Sequence, residues 1–312
     1  MNFFEKLIEY KIKPARRLIR DGKLFFLLGV LIEKTVDKNP HLWYLHKCGE
    51  GTVVDADICG HQMLLDLSDR GISRKLYTEG VHEKEPSRVY ISELKRICSG
   101  ANETVNIIEV GANIGYYVLK EAEVAGEVGR IHAFEPSQSN CELLKKNVDL
   151  NGYADIVNVV PKAIGDRNGT ARFAVSEQSN RNTIEAEEEN RGDLIGAVDV
   201  EMTTLESYLD TLGISANEIG AIRMDLEGYE TVVIESIKDI FQSSEEVVAY
   251  VEVHPEDIGE SELKNIIDIL DSCGFNLVYA HQHRREIEID ELSQVLDVGG
   301  SHIHLIMTKD NN

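Results

Sequence analysis

The sequence predicts an α/β fold built on a mostly parallel sheet. Two observations carry that expectation. Short apolar runs recur through the second two-thirds of the chain: VNIIEV (105–110), RIHAF (130–134), IVNVV (156–160), AIRMD (221–225), VVAYVEV (247–253) and FNLVY (275–279). Between most of them lie segments of helical periodicity: IGYYVLKEAEVAG, SQSNCELLKKNVDLNG, YETVVIESIKDIFQ and ESELKNIIDILDSCG. Strands alternating with helices make βαβ units, whose crossovers set neighbouring strands parallel. The runs lack polar alternation, as strands do when both faces are covered. HIHLIMTK (302–309) reads as a last strand.

Ahead of this domain (101–312) the sequence divides into a helical N-terminal extension (1–50) and a lead-in segment (51–100). Phe3, Phe4, Leu7 and Ile8 recur at helical spacing. KIKPARRLIR then sets five basic residues beside LFFLLGVLI. Such a segment either packs on its own body or a second subunit, or lies on an anionic membrane surface through residues 1–40. The apolar run falls well short of the ~20 residues that span a bilayer. TVVDADICGHQMLLDLS alternates and predicts a small hairpin, followed by a loop and a helix. Residues 176–197, SEQSNRNTIEAEEENRGDLIGA, are polar and acidic and read as an insertion without strong structure, with EAEEEN a solvated face.

Charge narrows the partners. The net charge is -23, which disfavours nucleic acid, whose phosphates require clustered Lys and Arg. It is uneven: residues 1–100 hold 17 Lys+Arg against 14 Asp+Glu, and residues 101–312 hold 15 against 41. Cys48, Cys59, Cys98, Cys141 and Cys273 form no CxxC pair, which fits a reducing compartment such as the cytoplasm. The start of the chain lacks the small-residue cleavage site of a signal peptide.

The first chemical motif is IIEVGANIGYY, which follows a strand and opens a helix. Glu109, Gly111, Asn113 and Gly115 form E-x-G-x-x-x-G. Gly111 permits a tight turn and close backbone approach to a ligand, and the helix start offers free N–H groups. A dinucleotide fingerprint requires a second glycine where Asn113 stands. An acidic strand end suits a cationic ligand, and S-adenosylmethionine, with its ammonium and sulfonium, is one. Glu135, in HAFEP, stands about 20 residues past the glycine loop, where a carboxylate accepts from both ribose hydroxyls. Lys162, Ala163 and Ile164, after the third strand, are placed to border the adenine.

The second motif is a pair of paired polar residues. Asp225 and Glu227 are two apart at one strand end, Glu252 and His254 two apart at the next. Ligands of open parallel sheets sit beyond the carboxyl ends of the strands, and residues two apart on extended chain share a face. All four therefore converge on one rim. A hydroxyl becomes a competent nucleophile as it loses its proton, and His254 is the expected base, with Asp225 orienting it or taking the proton itself. Glu227 alternatively compensates a helix N-terminus. Three carboxylates and a histidine could also hold Mg²⁺ or Mn²⁺; the reading adopted assigns no metal. His281, His283, His302 and His304 show no ligand spacing, and H-x-H in the last strand reads as sheet alternation.

Taken in order, IIEVGANIGYY, HAFEPSQSNCELLKKNVDLNG, VVPKAIGDRNGTARF, MTTLESYLD, IRMDLEGYETVVIES and VEVHP resemble the FkbM-type S-adenosylmethionine-dependent methyltransferases over roughly residues 60–308. The resemblance implies a Rossmann-like seven-stranded methyltransferase sheet, mostly parallel with its last strand antiparallel. It also implies O-methylation of a saccharide, glycolipid or similar small acceptor. Two departures stand out: Glu109 replaces the more usual Asp, and Arg223-Met224 the more usual Lys-Ile. The competing readings are an NAD-dependent oxidoreductase, whose ribose Glu135 would also suit, and a non-catalytic binding module on the donor fold.

Overall fold

The structure is a computed structural model that describes residues 52–176, 178–179, 182–184, 194–282, 285–298, 300 and 302–310. The expected N-terminal helix lies outside these residues. The chain forms two compact units that divide between His82 and Glu83.

The first unit contains the predicted hairpin. β1 (Val53–Ile58) pairs antiparallel with β2 (His61–Asp66). Cys59 and Gly60 both adopt positive φ, the backbone of a tight two-residue turn. Gly60 N donates to Asp57 Oδ1. His61, Met63 and Leu65 alternate inward along β2. Asp69 accepts from the N–H groups of Gly71 and Ser73, starting α1 (Ile72–Glu79), and left-handed Gly80 ends it.

The second unit opens with α2 (Lys84–Gly100), followed by β3 (Val105–Val110), α3 (Tyr116–Ala125), β4 (Gly129–Phe134), α4 (Gln138–Leu150) and β5 (Val157–Val160). A second sheet intervenes. Then come β10 (Ile219–Met224), α6 (Glu230–Ser236), α7 (Lys238–Ser243), β11 (Val247–Val253), α8 (Pro255–Ile258), α9 (Glu260–Ser272), β12 (Asn276–Gln282), the two-residue β13 (Arg285–Glu286) and β14 (Ile303–Lys309). The main sheet runs β13-β12-β14-β11-β10-β3-β4-β5. β5, β4, β3, β10 and β11 are mutually parallel, and β14 is antiparallel to both β11 and β12. Setting aside the edge pair β13, this is the expected seven-stranded sheet with its antiparallel last strand.

The main strands are buried on both faces, and the two faces differ in chemistry. One face presents Ile108, Val110, Ile222, Met224, Val251, Val253 and Leu305 to Val233 and Ile234 of α6 and to Ile266 and Leu270 of α9. Each such side chain is worth about 1.5–3 kcal/mol when buried. The alternate positions carry Glu109, Arg223, Tyr250, Glu252 and His304, on the side of α2 and α3, where Tyr90 and Tyr117 meet Tyr250. Strand alternation thus sorts an apolar core from a buried polar row.

The second sheet was not expected. β6 (Ala163–Ile164), β7 (Gly169–Ser176), β8 (Thr183–Ile184) and β9 (Leu194–Thr203) form a four-stranded sheet in the order β6-β9-β7-β8. β7 and β9 pair antiparallel from Gly169↔Met202 to Ser176↔Leu194. The expected unstructured insertion at 176–197 therefore begins and ends in strand. Ala171, Phe173, Val200 and Met202 make this sheet's small core. α5 (Leu205–Leu212) follows, capped by Thr204, whose hydroxyl accepts from Ser207 N. Among the described residues no helix is long and apolar enough to cross a membrane.

Candidate active site

The glycine loop is tied to the second strand by backbone and carboxylate. Gly111 N and Ala112 N both donate to Phe134 O, at 3.0 and 2.9 Å. Gly111, Asn113 and Gly115 all take positive φ. A Cβ at Gly111 would run into the carbonyl oxygen of Asp225, so only glycine lets the loop lie against the end of β10. Glu135 clamps the loop: its Oε2 accepts from Asn113 N and its Oε1 from Ser137 N, each at 2.8 Å. Burial pushes the Glu135 carboxyl up to about 7, against the pull of those two backbone N–H groups. Each of its oxygens retains lone-pair capacity for a hydroxyl. Asn113 Oδ1 is buried without a protein partner. The loop and Glu135 thus hold polar groups with unused hydrogen-bonding capacity at the carboxyl edge of the sheet, where ligands of open parallel sheets sit. Ala163 stands apart from them: it pairs with Met202 in the second sheet and packs in that sheet's core.

Glu109 does not face the loop as an open carboxylate. Parallel register sets Arg223 between Glu109 on β3 and Tyr250 on β11. Arg223 Nη1 meets Glu109 Oε1 at 2.7 Å, and its Nη2 lies 3.6 Å from Asp225 Oδ2 and 3.9 Å from Glu83 Oε2. The guanidinium stacks 3.7 Å from the centre of the Tyr117 ring and 5.0 Å from that of Tyr250. Both phenols lean on Glu83, whose Oε2 accepts from Tyr117 Oη at 2.9 Å and Tyr250 Oη at 3.0 Å. Burial pushes Glu109 up, Arg223 pulls it down, and Glu121 raises it again. Glu109 Oε2 and Glu121 Oε2 are both buried without a hydrogen-bond partner. Tyr90 Oη donates to Glu121 at 2.8 Å. Arg223 is the cation about which this carboxylate cluster is organised, and a flat, delocalised guanidinium suits a site of three acids and two rings.

β10 ends at Met224, so the extended continuation expected through Glu227 is absent. The chain turns instead: Glu227 and Gly228 both take positive φ. Glu230, at the start of α6, holds the turn by accepting from Leu226 N at 3.2 Å and Gly228 N at 3.0 Å. The turn still delivers Glu227 to the predicted place. Asp225, Glu227 and His254 bring ligand atoms within 4.8 Å of one another. Non-glycine residues held at positive φ cost about 1–3 kcal/mol and cluster at functional sites.

His254 closes the rim. Its Nδ1 lies 2.9 Å from Glu230 Oε1, and its Nε2 lies 3.7 Å from Glu227 Oε2 and 3.8 Å from Glu252 Oε1. Burial alone lowers its pKa, but the Glu230 hydrogen bond and charge, then Glu227 and Asp225, raise it to about 9. At neutral pH the resting imidazole is therefore protonated, which weighs against the expectation that it is the base. Asp225 has the complementary character. Burial raises its carboxyl, Arg223 and His254 pull it down, and Glu83 and Glu230 raise it. Its side chain is 19% exposed and its Oδ1 is buried without a protein partner. The four predicted rim residues, Asp225, Glu227, Glu252 and His254, do converge. Arg223 as hub, Glu230, Glu83, Tyr117 and Tyr250 are additions. Two of these left a trace in the sequence: Arg223 as a departure from the family pattern, and Glu230 as the acid that follows the strand-ending turn DLEGYE.

A family model described as Methyltransferase FkbM domain matches residues 109–277, a span that contains Glu109, Glu135, Asp225, Glu230 and His254. Among solved structures, a methyltransferase FkbM from Methylobacillus flagellatus KT is 14% identical, with a TM-score of 0.42, covering 74% of this chain and 52% of its own. The M. jannaschii TYW2 in complex with AdoMet is 14% identical, with a TM-score of 0.40 and coverages of 83% and 86%. A search of curated proteins gave no match.

Proposed function

The chain belongs to the FkbM methyltransferase family, and from that premise we propose that it methylates a hydroxyl of a saccharide, a glycolipid or a similar small acceptor. Its cofactor is S-adenosylmethionine, which when bound supplies a methyl group on a positively charged sulfur. The observation that carries the reading is Asp225: a partly exposed carboxylate with an unpartnered oxygen at the carboxyl edge of the sheet, backed by Arg223 and flanked by His254.

Each residue then has a role in the displacement. Glu135 and the glycine loop grip the nucleoside, with Glu135 accepting from the ribose. Asp225 would accept the proton of the acceptor hydroxyl as the hydroxyl oxygen attacks the methyl group that bound S-adenosylmethionine would supply. A raised carboxyl accepts a proton near neutrality better than an ordinary one. His254, held by Glu230, supplies positive charge beside Asp225 and keeps it ionised in the resting site. Arg223 fixes the other side of the same carboxylate. The carboxylates around the rim complement the sulfonium and ammonium of the donor.

We place the reaction at the cytoplasmic face of a membrane, with residues 1–40, which lie outside the described residues, contacting anionic lipid. Deleting them should release the protein from anionic vesicles; unchanged partitioning would refute the contact. The function is tested by mass spectrometry of glycans and glycolipids from cells with and without this chain. A species heavier by one CH₂ that vanishes with the chain supports it, and an unchanged glycan and glycolipid profile contradicts it.

A further inference from the structure

The row of polar side chains continues past the residues that methyl transfer uses. Glu252 on β11 faces His304 on β14 across an antiparallel pair. His302 precedes His304 by two positions and shares its face, and the two rings are 5.8 Å apart. Glu252, His302 and His304 bring ligand atoms within 4.8 Å of one another. The H-x-H of the last strand is thus a convergent pair, as sheet alternation places residues two apart on one face.

Chemistry and surroundings both point to a cation. Two imidazoles and one carboxylate are the donor set of first-row transition ions; Mg²⁺ and Ca²⁺ prefer oxygen alone. Glu252 and His304 are 7% and 2% exposed, so the donors are withdrawn from water. Glu252 stands among Asp225, Glu83 and Glu227, with Arg223 as the attractive neighbour. His304 Nδ1 lies 3.1 Å from Tyr250 Oη and 3.4 Å from Glu252 Oε2, which holds the ring against the carboxylate. The neighbouring triad of Asp225, Glu227 and His254 offers one nitrogen and two carboxylates, a donor set less selective for those ions.

We propose that Glu252, His302 and His304 form a binding site for one divalent first-row transition-metal ion of the Zn²⁺ and Co²⁺ kind. The ion joins the ends of β11 and β14 and offsets the carboxylates beside it. The proposal stands on these three residues and does not depend on which acceptor is methylated.

The test uses untagged full-length protein stripped with a chelator and titrated with Co²⁺. The expected result is visible d–d absorption saturating at one Co²⁺ per chain, displaced by Zn²⁺, with a rise in melting temperature. His302→Ala and the near-isosteric Glu252→Gln should each weaken Co²⁺ binding by roughly 100-fold. Circular dichroism establishes that both variants fold. His254→Gln, which removes a positive charge 3.8 Å from Glu252 but no proposed ligand, should not weaken Co²⁺ binding. Absence of absorption with Co²⁺ in large excess would overturn the proposal. So would binding that survives His302→Ala but is lost in His254→Gln, because the ion would then occupy the other triad.

Discussion

Replacing Glu230 by Gln should cut by more than half a pH dependence of stability that the wild-type protein shows above neutrality. His254 is raised from 6.5 to about 9, a net preference for its charged form of roughly 3 kcal/mol at 1.36 kcal/mol per unit. Burial works against that preference, so the carboxylates supply more than the net. Glu230 provides the two largest favourable contributions, a 2.9 Å hydrogen bond and its charge. A histidine whose folded pKa is raised contributes stability that is fully present below its unfolded value and lost as pH rises through the folded one. The wild-type protein should therefore lose roughly 3 kcal/mol of unfolding free energy between about pH 6.5 and 9. In Glu230→Gln the slope over that window should fall by more than half. The substitution also weakens the clamp on Gly228 N, a loss that lowers stability at every pH and leaves the slope unaffected. Urea unfolding at a series of pH values measures the slope, and the His254 proton resonance reports its titration directly. A wild-type His254 that titrates near 6.5, or equal slopes in the two proteins, would refute the reasoning.

The other predictions concern the donor loop and the buried cation. Gly111→Ala should cost about 1–3 kcal/mol, because φ is positive there and the new methyl meets the Asp225 carbonyl; the urea midpoint reads it. Affinity for S-adenosylhomocysteine should rise from pH 6 to 8 and flatten above, because Glu135 ionises at about 7 and its carboxylate is the better hydroxyl acceptor. Calorimetry should show Glu135→Gln binding more weakly and without that pH dependence. Arg223→Met should destabilise by about 3–5 kcal/mol in thermal or urea unfolding, since it strands Glu109 and Asp225 without their counter-charge. Arg223→Lys should recover part of that loss, keeping the charge but not the two-sided stacking.

The main sheet was legible because its strands are apolar on consecutive residues and the segments between them have helical period. VNIIEV, RIHAF and VVAYVEV appear within a residue of where they were read. The second sheet was not legible. β9 exposes Ile195 and Val198 while its polar residues intervene, so its pattern resembles a loop. At the site, Asp225, Glu252 and His254 were readable because parallel sheets put ligands at strand ends. Glu83 was not, because it meets Tyr250 across 167 positions of sequence and sits on a helix start that carries no motif. Arg223 appeared only as a departure from a family pattern; its burial against Tyr117 and Tyr250 is decided by strand register, which sequence spacing does not reveal. His254 is legible at a strand end, but its protonation depends on Glu230, which a turn with positive φ at Glu227 and Gly228 brings to it where strand periodicity predicts extended chain.

The most direct test is turnover of glycolipid and glycan extracts with isotopically labelled S-adenosylmethionine by wild-type protein and Asp225→Asn, with S-adenosylhomocysteine affinity measured on both. Label should enter a saccharide-bearing product with the wild type, and Asp225→Asn should lose roughly 100-fold or more in rate while binding S-adenosylhomocysteine as tightly. Undiminished transfer by Asp225→Asn would show that another group takes the proton.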